Sequence, residues 1–577
     1  MARHRPLLAT LLLAFVALAV AYSTLVPLGE APDEVSHYAY VRWLATQRTL
    51  PPPDPDELVF GEVFQPPLYY ALAAPLTAWL PTGPIPVENN PDYELADPVR
   101  RVRLQIQHAE LRWPWRGEAL AWHIARFAAI PLGLISVLAT FFLAKAALPH
   151  DRGAALVAAA FVAFLPQFVY LNSVVSNDPL IIAISAALLA VLAPAIAAPE
   201  RHVRRWLLVG LLGGLAVWTK SSGWLLAGSA GLAWLLTWQQ PQRWQRLAAL
   251  AATWLFVALP WLLITWQRSG DLLGVGLLRQ VTEAQPQTLT PALFQSQLWG
   301  LYQSIWLGVG GAAHNTLPPL ASIALALPLV VGALGLGVGW RRWSRDSRRL
   351  LLWLIAHLGL LFVGWMQWSL TVLGTGQGRL IFPALPALAV LMAAGWRALW
   401  PSRRAAMGML LGFALFSALV LAAVVGPLYR GRPALAAPVA AVDASWQFGD
   451  GLTLLRYEFT RNEETVAGGT PGELYVEWLA TQPLPDLRMR LHLVDETGAV
   501  VWQKEGTPSA GWDTTDVWPV GEPIAAWHRV VIPVESAAGW HRLLLSVVAR
   551  DGDPLPIRGP DGTPYGDQVA VGGLWVE

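Results

Sequence analysis

The run NDPLIIAISAALLAVLAPAIAA, residues 177–198, decides the class of fold. Beyond Asp178 it carries no charge, and from Pro179 to Ala198 it has the roughly twenty apolar residues a helix needs to cross a bilayer. Runs of the same character recur from Pro6 to about Tyr429. They predict spans near 6–27, 121–147, 153–172, 179–198, 206–219, 222–238, 246–266, 318–340, 350–372, 379–396 and 405–428, about eleven in all. Composition agrees, since 55% of the 577 residues are apolar and only 14% charged, against roughly 25% charged in a soluble domain. Residues 1–430 are therefore expected to form a polytopic α-helical membrane domain that includes the long loop 28–120.

The first run follows Arg3-His4-Arg5 and passes Ala19-Val20-Ala21, the outline of a secretory signal. Its apolar stretch from Pro6 to Val26 is longer than a signal core, so it reads as a span. The pair 206–219 and 222–238 is interrupted at Lys220-Ser221-Ser222-Gly223 and reads as two short helices. Orientation follows from the arginines, because short cytoplasmic loops carry the excess of Lys and Arg. Arg3 and Arg5, Arg201 with Arg204 and Arg205, Arg243 with Arg246, the group Arg341 to Arg349, and Arg397 with Arg403 and Arg404 all fall on one side of the predicted spans. The expected location is the cytoplasmic membrane, with the N-terminus inside and with 28–120, 173–178, 267–317, 373–378 and the tail outside.

The tail, 431–577, changes character. Strand-like alternation at Glu473-Leu474-Tyr475-Val476-Glu477-Trp478 and at Arg488-Met489-Arg490-Leu491-His492-Leu493 is separated by turn signals such as Gly468-Gly469-Thr470-Pro471-Gly472 and Asp551-Gly552-Asp553-Pro554. The spacing predicts a β-sandwich of about eight strands. Residues 440–577 hold 20 acids against 9 Lys and Arg. The near-balance of the whole chain, 40 Lys+Arg against 39 Asp+Glu, thus hides an acidic tail on a basic membrane body. No nucleic-acid partner is expected, and the absence of cysteine excludes thiol nucleophiles, disulfides and Cys-ligated metals.

Charged residues at the expected outer boundary are the candidates for chemistry. Asp33 and Glu34 stand where the first span leaves the membrane; acids in a first helical turn also have the plain role of favouring the helix dipole. Gln65-Pro66-Pro67-Leu68-Tyr69-Tyr70 follows as a stiff entry into a second surface helix. Asn177-Asp178 precedes the fourth span, where Asp178 before Pro179 also suits helix capping. Arg126, Lys220 and Arg379 reach the same boundary against the positive-inside preference; they either snorkel to lipid headgroups or bind a substrate phosphate. His357, inside the ninth span, reads as a hydrogen-bonded packing residue.

In this order and on one side, Asp33-Glu34, the Gln65-Pro66-Pro67 segment, Arg126, Asn177-Asp178, Lys220 and Gly378-Arg379 with Pro383 resemble the integral-membrane glycosyltransferases of the GT-C type. That superfamily includes the protein O-mannosyltransferases and the lipid A aminoarabinose transferase. The resemblance covers about three quarters of the chain; Gln65 stands where many relatives have His or Lys. The tail is similar to exterior β-domains of some bacterial members; Trp502 and Trp512 either stack on sugar rings or, the default for a sandwich tryptophan, pack in the core.

The resemblance implies transfer of a sugar from a polyprenyl-phosphate donor to a hydroxyl of a glycan, lipid or protein acceptor on the outer face, with inversion. It implies Asp33 as base, Glu34 and Asp178 as catalytic or positioning carboxylates, and Lys220, Arg379 and Arg126 as ligands of the donor phosphate. His37, Gln65, Tyr69 and Asn177 are then expected to contact substrate. A divalent ion bridging Asp33 and Asp178 fits this scheme, although a monophosphate donor does not demand one. The rival reading is a polytopic transporter or flippase, which would more usually show internal repeats and midplane polar groups.

Overall fold

A computed structural model describes residues 5–81, 83–93, 103–198, 202–282, 287–311, 313–372, 375–432, 435–550 and 552–577. Arg3, Arg201, residues 373–374 of an expected outside loop and Asp551 of an expected turn lie outside the described residues. The chain forms two compact units, one of Met1–Gly83 with Leu120–Tyr429 and one of Pro84–Ala119 with Arg430–Glu577.

The first unit is helical. Eight described helices are long and apolar enough to cross a membrane: Pro6–Leu25, Gly117–Ala147, Asp178–Ala197, Arg243–Ser269, Pro319–Trp340, Arg345–Ser369, Gly378–Leu399 and Arg403–Tyr429. The chain is a multi-pass membrane protein. Three expected spans are shorter helices. The run 153–172 divides into Arg152–Ala163 and Pro166–Leu171 because Pro166 cannot continue a helix but suits the first position of the next. The runs 206–219 and 222–238 become Arg204–Val217 and Leu225–Leu236, separated by a 3-10 turn at Ser221–Trp224.

Small residues bring helices close where lipid offers no hydrophobic drive. A Cβ at Gly335 would lie 2.1 Å from the Gly395 carbonyl oxygen, and one at Gly395 would lie 1.8 Å from that of Gly332. The helices Ala326–Trp340 and Leu385–Leu399 therefore pack backbone to backbone.

The second unit is a two-sheet β-sandwich. Its strands are β1 (Val442–Phe448), β2 (Leu452–Phe459), β3 (Thr465–Val466), β4 (Pro471–Ala480), β5 (Leu487–Val494), β6 (Val500–Gly506), β7 (Pro523–Val531), β8 (Gly539–Ala549), β9 (Ile557–Arg558), β10 (Pro564–Gly566) and β11 (Val569–Val576). One sheet has the order β10-β9-β1-β2-β4-β7 and the other β3-β11-β8-β5-β6. The expected eight strands are the long ones, and β3, β9 and β10 are short additions at sheet margins. Alternate residues such as Leu474, Val476 and Trp478 of β4 and Leu543, Leu545 and Val547 of β8 point into a common core. Trp512 is buried, with the Arg103 guanidinium 4.8 Å above its ring, and Trp502 packs against the core, the default role of a sandwich tryptophan rather than sugar stacking.

Part of the loop read with the membrane domain is compact with the sandwich instead. Asp92 is buried and accepts from the Lys504 ammonium, from the Arg529 backbone N–H at 3.1 Å, and pairs with His528 Nδ1 at 3.0 Å. Asn90 donates to the Ala510 carbonyl at 3.0 Å, and Arg488 pairs with Glu88 at 2.8 Å. Burial alone would raise the Asp92 carboxyl, but His528 and Lys504 outweigh it and hold the group well below the ordinary carboxylate range. No sequence periodicity announces this pairing, because its partners lie more than four hundred residues apart.

Candidate active site

Asp33 stands at the N-cap position of the helix Glu34–Gln47 without a side-chain capping bond, and its φ of 58° is a left-handed conformation that costs a residue with a Cβ and needs neighbours to hold it. The next residue supplies that hold. Glu34 is fully buried and its carboxylate receives Arg126 Nε and Nη2, both at 2.6 Å, the Gly29 N–H at 3.2 Å and the Val175 N–H at 3.1 Å. Arg126 also donates to the carbonyls of Ser23, Val26 and Pro27 at 2.9, 2.6 and 2.9 Å. One ion pair thus ties together the end of the first helix, the start of the second and the segment leading to Asp178.

This geometry bears on two of the expected roles. Nε, Nη1 and Nη2 of Arg126 are all engaged by the protein and the side chain is sealed, so no donor is left for a phosphate. Glu34 spends both oxygens on Arg126 and backbone N–H groups, which makes it a buried clamp with no face toward a substrate.

The other expected charges converge. Arg379 Nη2 donates to Asp33 Oδ2 at 2.7 Å, its Nη1 lies 3.7 Å from Asp178 Oδ2, and its Nε donates to Gln377 Oε1 at 2.7 Å. Lys220 donates to Asp178 Oδ1. The side chain of Asp178 is only 2% exposed, whereas that of Asp33 is 49% exposed. Asp33 is therefore the carboxylate that an incoming molecule can reach.

Local backbone explains the approach. Lys220 follows the last turn of Arg204–Val217, and the chain doubles back so tightly that a Cβ at Gly223 would fall 2.1 Å from the Ala216 carbonyl oxygen. The Leu68 N–H donates to the Trp218 carbonyl at 2.9 Å, which ties the Pro66-Pro67 segment to the same break.

A second layer lies beneath Asp33. The Tyr70 hydroxyl is 2.8 Å from His37 Nδ1, accepts from Asn177 Nδ2 at 3.5 Å and donates to Glu62 Oε2 at 3.5 Å; His37 Nδ1 and Glu62 Oε2 are 3.4 Å apart. Tyr40 stacks on Tyr70 at 4.1 Å, and Tyr69 meets it edge-on at 5.6 Å. Gln65 is buried, with its carbonyl accepting from the Tyr40 hydroxyl at 3.4 Å and its Oε1 without a hydrogen-bond partner among the described residues. Of the residues expected to contact substrate, His37 and Asn177 thus join the cluster directly, and Gln65 and Tyr69 support it. Glu62, Tyr40 and Tyr70 were not among the expected site residues. The one signal for Glu62 is an acid set among Val59, Phe60, Val63 and Phe64, a context that favours burial.

The titratable groups are driven apart. Partial desolvation of the half-exposed Asp33 would by itself raise it, but Arg379, His37 and Lys220 outweigh this and hold the carboxyl below its ordinary range. Burial pushes His37 down to about 4, with Arg379 and Lys220 acting the same way against Asp33 and Asp178. Burial, and then the charges of Asp33 and Asp178, raise Glu62 well above the usual carboxylate range. The layer offers an ionised acceptor at Asp33 and a neutral imidazole at His37, with Glu62 shifted toward its protonated form, a separation typical of acid–base sites. Asp33, His37 and Glu62 also present ligand atoms within 4.8 Å of one another, a set that could hold a divalent ion. Between Asp33 and Asp178, the pair that a divalent ion would bridge in the implied scheme, the Arg379 guanidinium reaches both carboxylates.

Residues 119–266 match the family model for dolichyl-phosphate-mannose-protein mannosyltransferase, which bears out the resemblance to membrane glycosyltransferases over a segment that includes Arg126, Asn177, Asp178 and Lys220. Among solved structures the chain is similar to ArnT from Cupriavidus metallidurans bound to undecaprenyl phosphate. The two are 17% identical with a TM-score of 0.44, covering 72% of this chain and 64% of that one. It is similar also to the Archaeoglobus fulgidus oligosaccharyltransferase, at 14% identity and a TM-score of 0.40 over 74% of this chain and 55% of that one. A third is the arabinofuranosyltransferase AftD from Mycobacteria, at 16% identity and a TM-score of 0.41 over 75% of this chain and 28% of that one. The chain thus spans less than two thirds of the length of each of these structures. No curated protein matches it.

Proposed function

We propose that this chain is a glycosyltransferase of the cytoplasmic membrane that moves a sugar from a polyprenyl-phosphate donor to a hydroxyl acceptor on the outer face, with inversion. The observation that carries this reading is the pairing of one reachable carboxylate, Asp33, with two cations, Arg379 and Lys220, in a single cluster. A glycosidase needs an acid to protonate its leaving group and a second carboxylate as base or nucleophile. A phosphate leaves as a weakly basic anion, so one base and fixed positive charge suffice.

In the proposed step the acceptor O–H gives its proton to Asp33 while its oxygen bonds to the anomeric carbon. The bond from that carbon to the phosphate oxygen breaks on the opposite face, and its electron pair goes to the phosphate. Arg379 and Lys220 stabilise the charge that develops there; such preorganised donors are typically worth roughly 3 to 4 kcal/mol. Asp178 holds both cations in place, and the layer of Tyr70, His37 and Asn177 faces the acceptor side of Asp33. The acceptor is a glycan, lipid or protein hydroxyl.

The test uses the lipid-linked sugar that accumulates in cells lacking the protein, purified and supplied to the purified full chain. Release of polyprenyl phosphate together with an inverted sugar linkage on an acceptor is expected. Movement of the intact lipid-linked sugar across a vesicle membrane, with no bond broken, would instead support a flippase.

A further inference from the structure

We infer that His357 is a positioning residue for Arg379, acting through the carbonyl of Pro383. The inference rests on the proposed contact between Arg379 and the donor phosphate. His357 is fully buried in the middle of Arg345–Ser369, and the proposed chemistry does not use it. Its Nδ1 lies 2.6 Å from Ser229 Oγ on Leu225–Leu236, and its Nε2 lies 3.3 Å from the Pro383 carbonyl oxygen. A carbonyl only accepts, so Nε2 carries the ring proton and Nδ1 accepts from the Ser229 hydroxyl. The Ser229 backbone is itself held, since its carbonyl takes the Trp353 indole N–H at 3.1 Å, one turn before His357 on the same helix. The Pro383 carbonyl receives a second donor, Ser185 Oγ on Asp178–Ala197, at 2.6 Å.

Pro383 lies near the end of the 3-10 turn Gly378–Ala384, whose second residue is Arg379. The other end of that turn is gripped as well. The Gly378 N–H donates to Ser304 Oγ at 2.7 Å, and a Cβ at Gly378 would fall 2.5 Å from the Ile305 nitrogen. Arg379 is thus carried on a short segment fixed at both ends, and two of the three side chains that fix it, His357 and Ser185, meet on one carbonyl. Apolar packing would hold a turn against sliding less well than directional bonds do, and polar side chains buried within a membrane are costly unless they serve such an end. The same helix that contributes Asp178 contributes Ser185, so the anchor relates Arg379 to the carboxylate it shares with Lys220.

The experiment measures binding of undecaprenyl phosphate, the carrier without sugar, to the purified full chain in detergent, together with melting temperature. Arg379→Lys is expected to weaken binding about tenfold. His357→Leu, which removes both bonds, is expected to weaken it severalfold, while His357→Gln, which keeps an N–H for Pro383, stays near wild type. The double variant His357→Leu with Arg379→Lys should bind no worse than Arg379→Lys alone, because both changes act on one contact. Ser185→Ala, a small change that takes the shorter bond from the same carbonyl, tests the anchor even if His357→Leu fails to fold; it should weaken binding without lowering the melting temperature by more than a few degrees.

Weak binding by Arg379→Lys with wild-type binding by both His357→Leu and Ser185→Ala overturns the inference and leaves the proposed function standing. Losses that multiply in the double variant overturn it too. Wild-type binding by Arg379→Lys overturns the phosphate contact itself, and the inference with it.

Discussion

At the scale of single residues, the structure divides charges that look alike in sequence. Asp33 and Glu34 are neighbours, yet one is half exposed beside Arg379 and the other is sealed against Arg126. Glu34→Gln should therefore act on folding: it leaves the Arg126 charge buried without its partner, a loss on the order of 3 to 5 kcal/mol. A sharp fall in folded protein recovered in detergent is the expected result; normal recovery with lost transfer would return Glu34 to the catalytic set. Lys220→Gln leaves Asp178 with Arg379 still 3.7 Å away, so it should fold and slow transfer by about a hundredfold, as for a lost donor to a developing anion. A near-normal rate would mean that Lys220 serves only to hold Asp178 and not the leaving phosphate. Asp33, Asp178, Lys220 and Arg379 were legible because each breaks a rule, as a charge at a membrane boundary or against the positive-inside bias. Tyr70 breaks none in sequence and Glu62 shows only as an acid among apolar neighbours; burial against His37 gives both their meaning.

At the scale of elements, helix contacts rest on small residues, and the docking of 84–93 on the sandwich rests on a buried ion cluster. A Cβ at Gly335 meets the Gly395 carbonyl at 2.1 Å, whereas at Gly337 it meets nothing within 4 Å. Gly335→Ala should lower the melting temperature measurably and Gly337→Ala should not; equal effects would contradict the close helix packing. In the sandwich, Asp92 has a depressed pKa, so its stabilising contribution is fully present above the unfolded value of about 3.9 and is lost as pH falls through the folded value. Asp92→Ala should cost on the order of 3 to 5 kcal/mol at neutral pH, because Lys504 is left buried. Hydrogen exchange of peptides around Asp92 and Lys504 in the full chain reads this cost, and the gap between variant and wild type should narrow below pH 4. A gap that persists at low pH would mean that the charge of Asp92 is not what holds the segment. Strands and long spans were legible from periodicity and hydropathy. The break at Pro166 and the docking of 84–93 on the sandwich were not, since the first needs the end of one helix to be located and the second joins distant segments.

At the scale of the whole molecule, the multi-pass architecture and the match over residues 119–266 agree with what the apolar runs and boundary charges imply. The proposed orientation makes a further demand. Reporter fusions after Arg349 and after Val576 should report opposite sides of the membrane, and the same side for both would remove the common face on which the proposed site depends. The central claim is that Asp33 is the base of a sugar transfer whose leaving phosphate is held by Arg379 and Lys220. Asp33→Asn keeps the shape of the side chain but cannot take a proton at neutral pH, and a positioned base is worth roughly a hundredfold to ten-thousandfold. The most direct measurement is single-turnover transfer from the purified lipid-linked donor by wild type and Asp33→Asn, with binding of the carrier phosphate measured alongside. Transfer lost by about a thousandfold with binding retained is the predicted result; wild-type turnover by Asp33→Asn would contradict it.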